Sequence, residues 1–226
     1  MPQVMQLIMP QGIRNFNMKP ILLNNIFKDD KNFKEDYGYS NWFEFIDQTT
    51  QWINVGAPRD ECFMAAPKFV PIEITDNSSF LGNLQTNEWP LKYSYRPGKF
   101  YESLKMSFAV ENIMRYLNNV TNCEYDICFL NRYEDETKHL GWHADDSPEM
   151  DQSHPIASVS FGAEREIWIK EQDFKGAIPE ENKYLLLDGS CFIMPPGFQQ
   201  KYYHKIPKVG NKCDPRISLT FRKFNI

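Results

Sequence analysis

From Tyr125 to the C-terminus the chain is cut into seven short strand-like runs, and this repetition limits the fold more than any other feature. "YDICFLNRY", "PIASVSFG", "REIWIK", "KYLLLD", "CFIMPP", "KYYHKIP" and "RISLTFRKF" follow one another, with turn signals such as Asp188-Gly189 and Pro195-Pro196-Gly197 between them. Many short strands at close spacing predict a barrel or a double-sheet jelly roll. The first 120 residues read differently. "NWFEFIDQTTQWI" predicts a helix capped by Asn41 with Glu44 as reciprocal partner, and with Trp42, Phe45, Ile46, Thr49 and Ile53 on one face. "YESLKMSFAVENIMRYLNNV" predicts a second helix, with Leu104, Phe108, Ile113, Leu117 and Val120 at helical spacing. Residues 75–98 are rich in turn formers and aromatics and read as a loop. The expected class is α+β: a jelly-roll core over 121–226 and a helical, loop-rich extension over 1–120, within one structural domain.

A hydrophobic content of 42% in 226 residues supports a sizeable core and argues against disorder. The formal net charge of −5 argues against an all-round basic coat, but leaves room for a local basic groove. Cys62, Cys123, Cys128, Cys191 and Cys213 are odd in number and form no C-x-x-C pair, against a disulfide scaffold or a structural zinc site. The first residues, "MPQVMQLIMPQG", lack a basic n-region and are broken by Pro10, and no apolar run has membrane-spanning length. The expectation is a soluble, non-secreted protein of a reducing compartment, cytoplasmic or nuclear, with no membrane partner.

The chemistry starts at "LGWHADDS", where His143 and Asp145 stand two apart. On a strand they share a face and can hold a divalent metal if a third ligand arrives. An isolated H-x-D also fits a solvated turn. There are four histidines. His139 sits before the glycine turn, His154 precedes a proline, and His204 lies in the strand-like "KYYHKIP". His143, Asp145 and His204 therefore form the best two-histidine, one-carboxylate set, which leaves positions on an iron open for a co-substrate and oxygen. In "RISLTFR", Arg216, Ser218, Thr220 and Arg222 alternate with Ile217, Leu219 and Phe221. Two guanidinium groups inside a small barrel need anionic partners, and a small dicarboxylate supplies them. An edge strand with its polar face in water is the other reading. Asn131 and Tyr133 in "NRY" add donors on one face.

Together, "NRYEDETKHLGWHADD", "PIASVSFGAERE", "YYHKIP" and "RISLTFRKF" closely resemble the AlkB family of iron(II)- and 2-oxoglutarate-dependent dioxygenases, over about residues 55–225. The resemblance implies a double-stranded β-helix that repairs nucleic acid. It implies iron(II) on His143, Asp145 and His204, and 2-oxoglutarate paired through Arg216, with Asn131, Tyr133, Ser218, Thr220 and Arg222 completing that pocket. Oxygen and 2-oxoglutarate would be converted to succinate and CO2, while a methyl group on a base nitrogen is hydroxylated and lost as formaldehyde. The partner implied is alkylated DNA, single- or double-stranded, or RNA, with the target base flipped out. "YSYRPG" matches the family's base-stacking segment, which nominates Tyr93 and, ahead of it, Tyr95; packing within a loop is the alternative for both. "NVGAPR" resembles the duplex-probing segment, where Arg59 would contact a phosphate, fill the gap left by the base, or be a solvated loop arginine. Asp146 is kept, but Ser147 stands where close relatives often carry an acidic residue that reads a cationic base. Glu149 is near enough to substitute.

Other readings keep the iron chemistry and change the substrate to a protein side chain or a modified nucleoside. Two further ones, a non-catalytic nucleic-acid-binding module and a zinc hydrolase, leave the triad or the paired arginines unexplained. A monomer is expected.

Overall fold

In the computed structural model, which describes residues 18–27, 41–66, 69–70, 85–86, 91–96 and 99–225, two sheets pack face to face. The larger has seven strands in the order β1 (Ile21–Leu23), β13 (Ser190–Met194), β10 (Ile156–Gly162), β15 (Arg216–Arg222), β8 (Ile127–Tyr133), β2 (Asp60–Ala65) and β7 (Leu104–Lys105). The smaller has four: β12 (Lys183–Leu186), β11 (Arg165–Glu171), β14 (Tyr202–Ile206) and β9 (Leu140–His143). The pair β3 (Phe69–Val70) and β4 (Gln85–Thr86), and the hairpin β5 (Lys92–Arg96) and β6 (Lys99–Glu102), stand apart. The helices are α1 (Trp42–Thr49), α2 (Phe108–Thr121) and the single turn α3 (Phe198–Lys201).

Period-two alternation explains the layers. On β15, Ile217, Leu219 and Phe221 join Val159, Cys191 and Ile193 in a core shared with Val110, Ile113 and Leu117 of α2. The other face of the same sheet sends Tyr133, Ile156, Phe192 and Met194 against Ile167, Ile169, Leu186 and Ile206 of the smaller sheet. The large sheet thus lies between helices and the small sheet, and the polar residues of β15 point into the jelly roll. The edge-strand reading of β15 is set aside, because it is flanked by β10 and β8 and buried throughout.

Asn41 caps α1 as expected, accepting from the Glu44 N–H at 3.1 Å. The helix ends at Thr49, however, and Ile53 forms a bridge with Glu61 instead of extending the apolar face. The second helix starts later than its apolar spacing suggests. Ser107 is its N-cap, Leu104 pairs in β7, and Phe108 is exposed. A capping hydroxyl and strand pairing override the periodicity upstream of it. Within the expected loop, Lys92–Arg96 belongs to the β5–β6 hairpin and Gln85–Thr86 to β4; residues 75–84, 87–90 and 97–98 lie outside the described residues. β1, β2 and β7, all from the first 120 residues, complete the large sheet.

At the turn from β10 to β11, Gly162 has φ +87°, and its N–H donates to Asp188 Oδ1 at 2.9 Å. A Cβ there would lie 2.5 Å from the Pro215 carbonyl oxygen and 2.8 Å from the Phe43 ring. Gly162→Ala should therefore destabilise the protein by about 3 kcal/mol, from left-handed strain plus overpacking. A fall in the urea midpoint at constant slope checks this; an unchanged midpoint refutes the close approach.

Candidate metal centre

His143 and His204 are cross-strand partners on β9 and β14, with ring centroids 4.1 Å apart. Asp145 lies two residues on, beyond the end of β9, so a turn rather than the strand pleat brings it to the same side. That turn is held from two directions: the Asp145 N–H donates to Gln199 Oε1 at 3.0 Å, and Gln152 Nε2 donates to the Asp145 carbonyl at 3.0 Å. The carboxylate oxygens stand 3.7 Å from His143 Nε2 and 3.9 Å from His204 Nε2. One ligand atom from each residue falls within 4.8 Å of the others.

The hydrogen bonds and charges around the donors suit a metal. His143 Nδ1 sits 2.9 Å from the Gly141 carbonyl, which places the proton there and turns the Nε2 lone pair inward. Burial pushes His204 down to about 3, with His143 and Arg222 adding to the effect and Asp145 opposing it, so the ring is neutral. Burial by itself would raise the Asp145 carboxyl, but Arg222, His143 and His204 outweigh it and hold it well below the usual carboxylate range. Arg222 Nη2 donates to Asp145 Oδ2 at 2.7 Å. Two imidazoles and one carboxylate converging in this way fit iron(II).

At the other end of β15, Arg216 is 1% exposed. Its Nη2 donates to Ser160 Oγ at 2.8 Å, and its guanidinium lies 5.2 Å from the centre of the Tyr133 ring. Among the described residues, Nε and Nη1 have no hydrogen-bond partner. Burial lowers the group to about 10, with Tyr133 opposing and Arg165 adding, so it stays cationic at neutral pH. Asn131, Tyr133, Ser218 and Thr220 are buried, with Ser218 opposite Asn131 and Arg216 opposite Tyr133.

The remaining expected residues divide. Arg59 is neither a surface phosphate contact nor a solvated loop residue. It is 5% exposed, paired with Glu61, and donates from Nε to Asn131 Oδ1 at 2.7 Å. Together with Tyr93, Asn131, His143, Asp145 and Arg222 it lines a cleft at the triad. Tyr93 is at once a cleft wall and a core residue, packed on Phe63, Phe129 and Tyr101. The Tyr95 side chain lies outside the described residues. Ser147 is half-buried beside Tyr93, and Asp146 is exposed. Sequence reasoning missed Glu61, Tyr101, Ser160, Arg165 and Gln199. For Arg165 a signal existed: it shares strand parity with the apolar Ile167 and Ile169, and its guanidinium donates to the carbonyls of Lys138 at 2.8 Å and Pro207 at 2.6 Å.

The profile of the 2OG-Fe(II) oxygenase superfamily matches residues 31–222. DNA oxidative demethylase ALKBH2 of Homo sapiens is 35% identical over 119 residues, covering 51% of this chain and 46% of that protein. Alpha-ketoglutarate-dependent dioxygenase alkB homolog 3 of Mus musculus is 34% identical over 111 residues, 45% of this chain and 37% of that one. The chain thus spans about half or less of the length of these relatives. The solved structure of OsALKBH1 superimposes with a TM-score of 0.53 at 15% identity, over 93% of this chain and 100% of that chain, a likeness of fold.

Replacing Asp145 by Ala should weaken cobalt(II) binding by more than the roughly 10–100-fold typical of an outer-shell change. Titration by visible absorption, with far-UV circular dichroism as a check on folding, measures this. Undiminished cobalt affinity would remove Asp145 from the metal site.

Proposed function

The chain belongs to the 2OG-Fe(II) oxygenase superfamily, and from that premise we propose that it is an oxidative demethylase of N-alkylated bases in DNA or RNA. The observation that carries the reading is Arg216: a buried cation with a free guanidinium edge, in the same jelly roll as a His-Asp-His set. The geometry calls for a metal and a small anion together, which 2-oxoglutarate and iron(II) provide. The relatives named as DNA oxidative demethylases support the nucleic-acid substrate.

When bound on His143, Asp145 and His204, iron(II) couples the oxidative decarboxylation of 2-oxoglutarate to oxidation of a C–H bond. Arg216 offers Nε and Nη1 to one carboxylate of the co-substrate, and Tyr133, Ser218 and Thr220 border it. Arg222 keeps Asp145 ionised and oriented. In balance, 2-oxoglutarate loses CO2 and takes one oxygen atom of O2 to become succinate, and the other atom enters the methyl C–H. The N-hydroxymethyl group then loses its hydroxyl proton as the C–N bond breaks, releasing formaldehyde; from a cationic base the proton goes to the medium, and from a neutral one the base nitrogen takes up a proton in its place, which restores the base. Tyr93 and Arg59 wall the cleft through which the base reaches the triad.

A panel of oligonucleotides, each with one methylated base, incubated with iron(II) and 2-oxoglutarate tests the reading. Loss of 14 mass units, about one methylene by simple chemistry, with stoichiometric succinate is expected for at least one member; succinate without any demethylated oligonucleotide would sink it. Arg216→Ala should raise the Michaelis constant for 2-oxoglutarate at least about tenfold, since a charge-assisted contact contributes roughly 1.5–3 kcal/mol. An unchanged constant would place the co-substrate elsewhere. Ser147→Glu adds a carboxylate beside the cleft and should favour cationic over neutral methylated bases by about fivefold, or ~1 kcal/mol. If that ratio does not move, position 147 does not read the base.

A further inference from the structure

The small sheet has two faces, and only the inner one serves the triad. Its outer face carries a ladder of alternating lysines and aromatic rings. Lys183 lies 5.1 Å from the Trp168 ring centre; Lys205 lies 4.2 Å from Trp168 and 4.8 Å from Trp142; Lys170 lies 5.1 Å from Trp142 and 6.0 Å from Tyr203. The register makes these direct neighbours: Trp168 is paired with Lys183 on one side and Lys205 on the other, and Lys170 with Tyr203. The three lysines and both tryptophans border a cleft of about 500 Å³, which Lys175 also lines; Glu166, of the same strand parity, accepts from Trp168 Nε1 at 2.7 Å but does not line that cleft.

Charge is unevenly satisfied along the ladder. Lys183 is paired with Glu180 at 2.7 Å. Lys170 donates to the Phe174 carbonyl at 3.2 Å, and among the described residues neither it nor Lys205 has a carboxylate within ion-pair distance. Burial, then the nearby Lys170, lowers the Lys205 ammonium from its usual value. Two ammonium groups crowded around one indole repel each other, and rings that hold them in place reduce the ordering cost of binding an anion. Because the lysines already cover the tryptophan faces, the surface suits phosphates rather than stacked bases.

Trp142 connects this face to the site. It precedes His143 on β9, the edge strand, so the two side chains leave opposite faces of the sheet. It also borders a second cleft, of about 440 Å³, together with His143, Arg59 and Tyr101. We propose that the outer face of the small sheet is a track for the phosphate backbone of a single-stranded nucleic acid, which rounds the β9 edge at Trp142 and continues past Lys205 and Lys170. The proposal rests on the nucleic-acid reading given above and adds a second contact region, away from the reacting base, to an otherwise acidic chain.

The test is binding of a fluorescein-labelled, unmodified single-stranded oligodeoxynucleotide, followed by anisotropy over a range of salt. Wild type, the double variant Lys170→Gln/Lys205→Gln and a control, Lys105→Gln on the far edge of the large sheet, are compared. The double variant should bind about tenfold more weakly, and its log–log salt slope should be smaller by about 1.4, that is ~0.7 for each lost phosphate contact. The control, the melting temperature and 2-oxoglutarate affinity should not change. If wild type binds and the double variant binds equally well with the same slope, the track is overturned while the nucleic-acid reading stands. If wild type binds no oligonucleotide, both fall. Lysine-dependent capture of polyglutamate without capture of the oligonucleotide would make the occupant an acidic protein and overturn the track.

Discussion

The ion pair between Arg222 and Asp145 is the contact on which the site depends. Both side chains are about nine-tenths buried, and the bond is 2.7 Å long. It joins the central strand of the large sheet to the turn that follows the edge strand of the small one, and so closes the jelly roll at the metal end. Breaking a buried pair by removing one partner typically costs about 3–5 kcal/mol, because the survivor is left uncompensated. The same bond keeps the carboxylate ionised between two imidazoles. Fold closure and ligand preparation are one interaction, which is why Asp145 can sit outside regular structure and still be well placed.

Among the described residues four guanidinium groups are buried, and their partners separate structure from binding. Arg59 is held by Glu61 and Asn131, Arg165 by backbone carbonyls, and Arg222 by Asp145. Arg216 has the Ser160 hydroxyl and the Tyr133 ring, and among the described residues its Nε and Nη1 have no hydrogen-bond partner. A cation in such surroundings cannot shed its charge, since the group remains protonated at neutral pH, so it requires an anion from outside. The difference lies in the partners, since Arg216 and Arg222 have the same strand, the same parity and the same burial.

That difference marks the limit of what the sequence shows. The seven strand runs and the two-faced pattern of "RISLTFR" follow from alternation, a local property; residue chemistry picks out His143, Asp145 and His204, but the strand pleat expected to align Asp145 ends at His143, and His204 arrives by cross-strand pairing. The start of α2 was misplaced because Leu104 and Phe108 continue the helical spacing through residues that pair as strands. The readings open for Arg59 include a solvated loop residue, because nothing in "NVGAPR" shows Glu61 folding beside it and Asn131, seventy-two positions away, accepting from it. Gln199 was missed for the same reason: its role is to hold the Asp145 backbone across fifty-four residues, and no local pattern encodes that.

The two histidines of the triad also define the side from which a substrate approaches. The His204 side chain is 7% exposed and that of His143 24% exposed, so the centre opens along β9. The wall on that side belongs to the first half of the chain. Tyr101 on the β5–β6 hairpin donates to Glu61, Glu61 pairs with Arg59, and Arg59 donates to Asn131 beside the triad. This relay ties Tyr101 of the hairpin to β2 and β8 of the large sheet. The opening is therefore bounded by this polar network on one side and by the β9 edge on the other. At that edge the second cleft, which His143 borders, and the lysine-bearing cleft share Trp142.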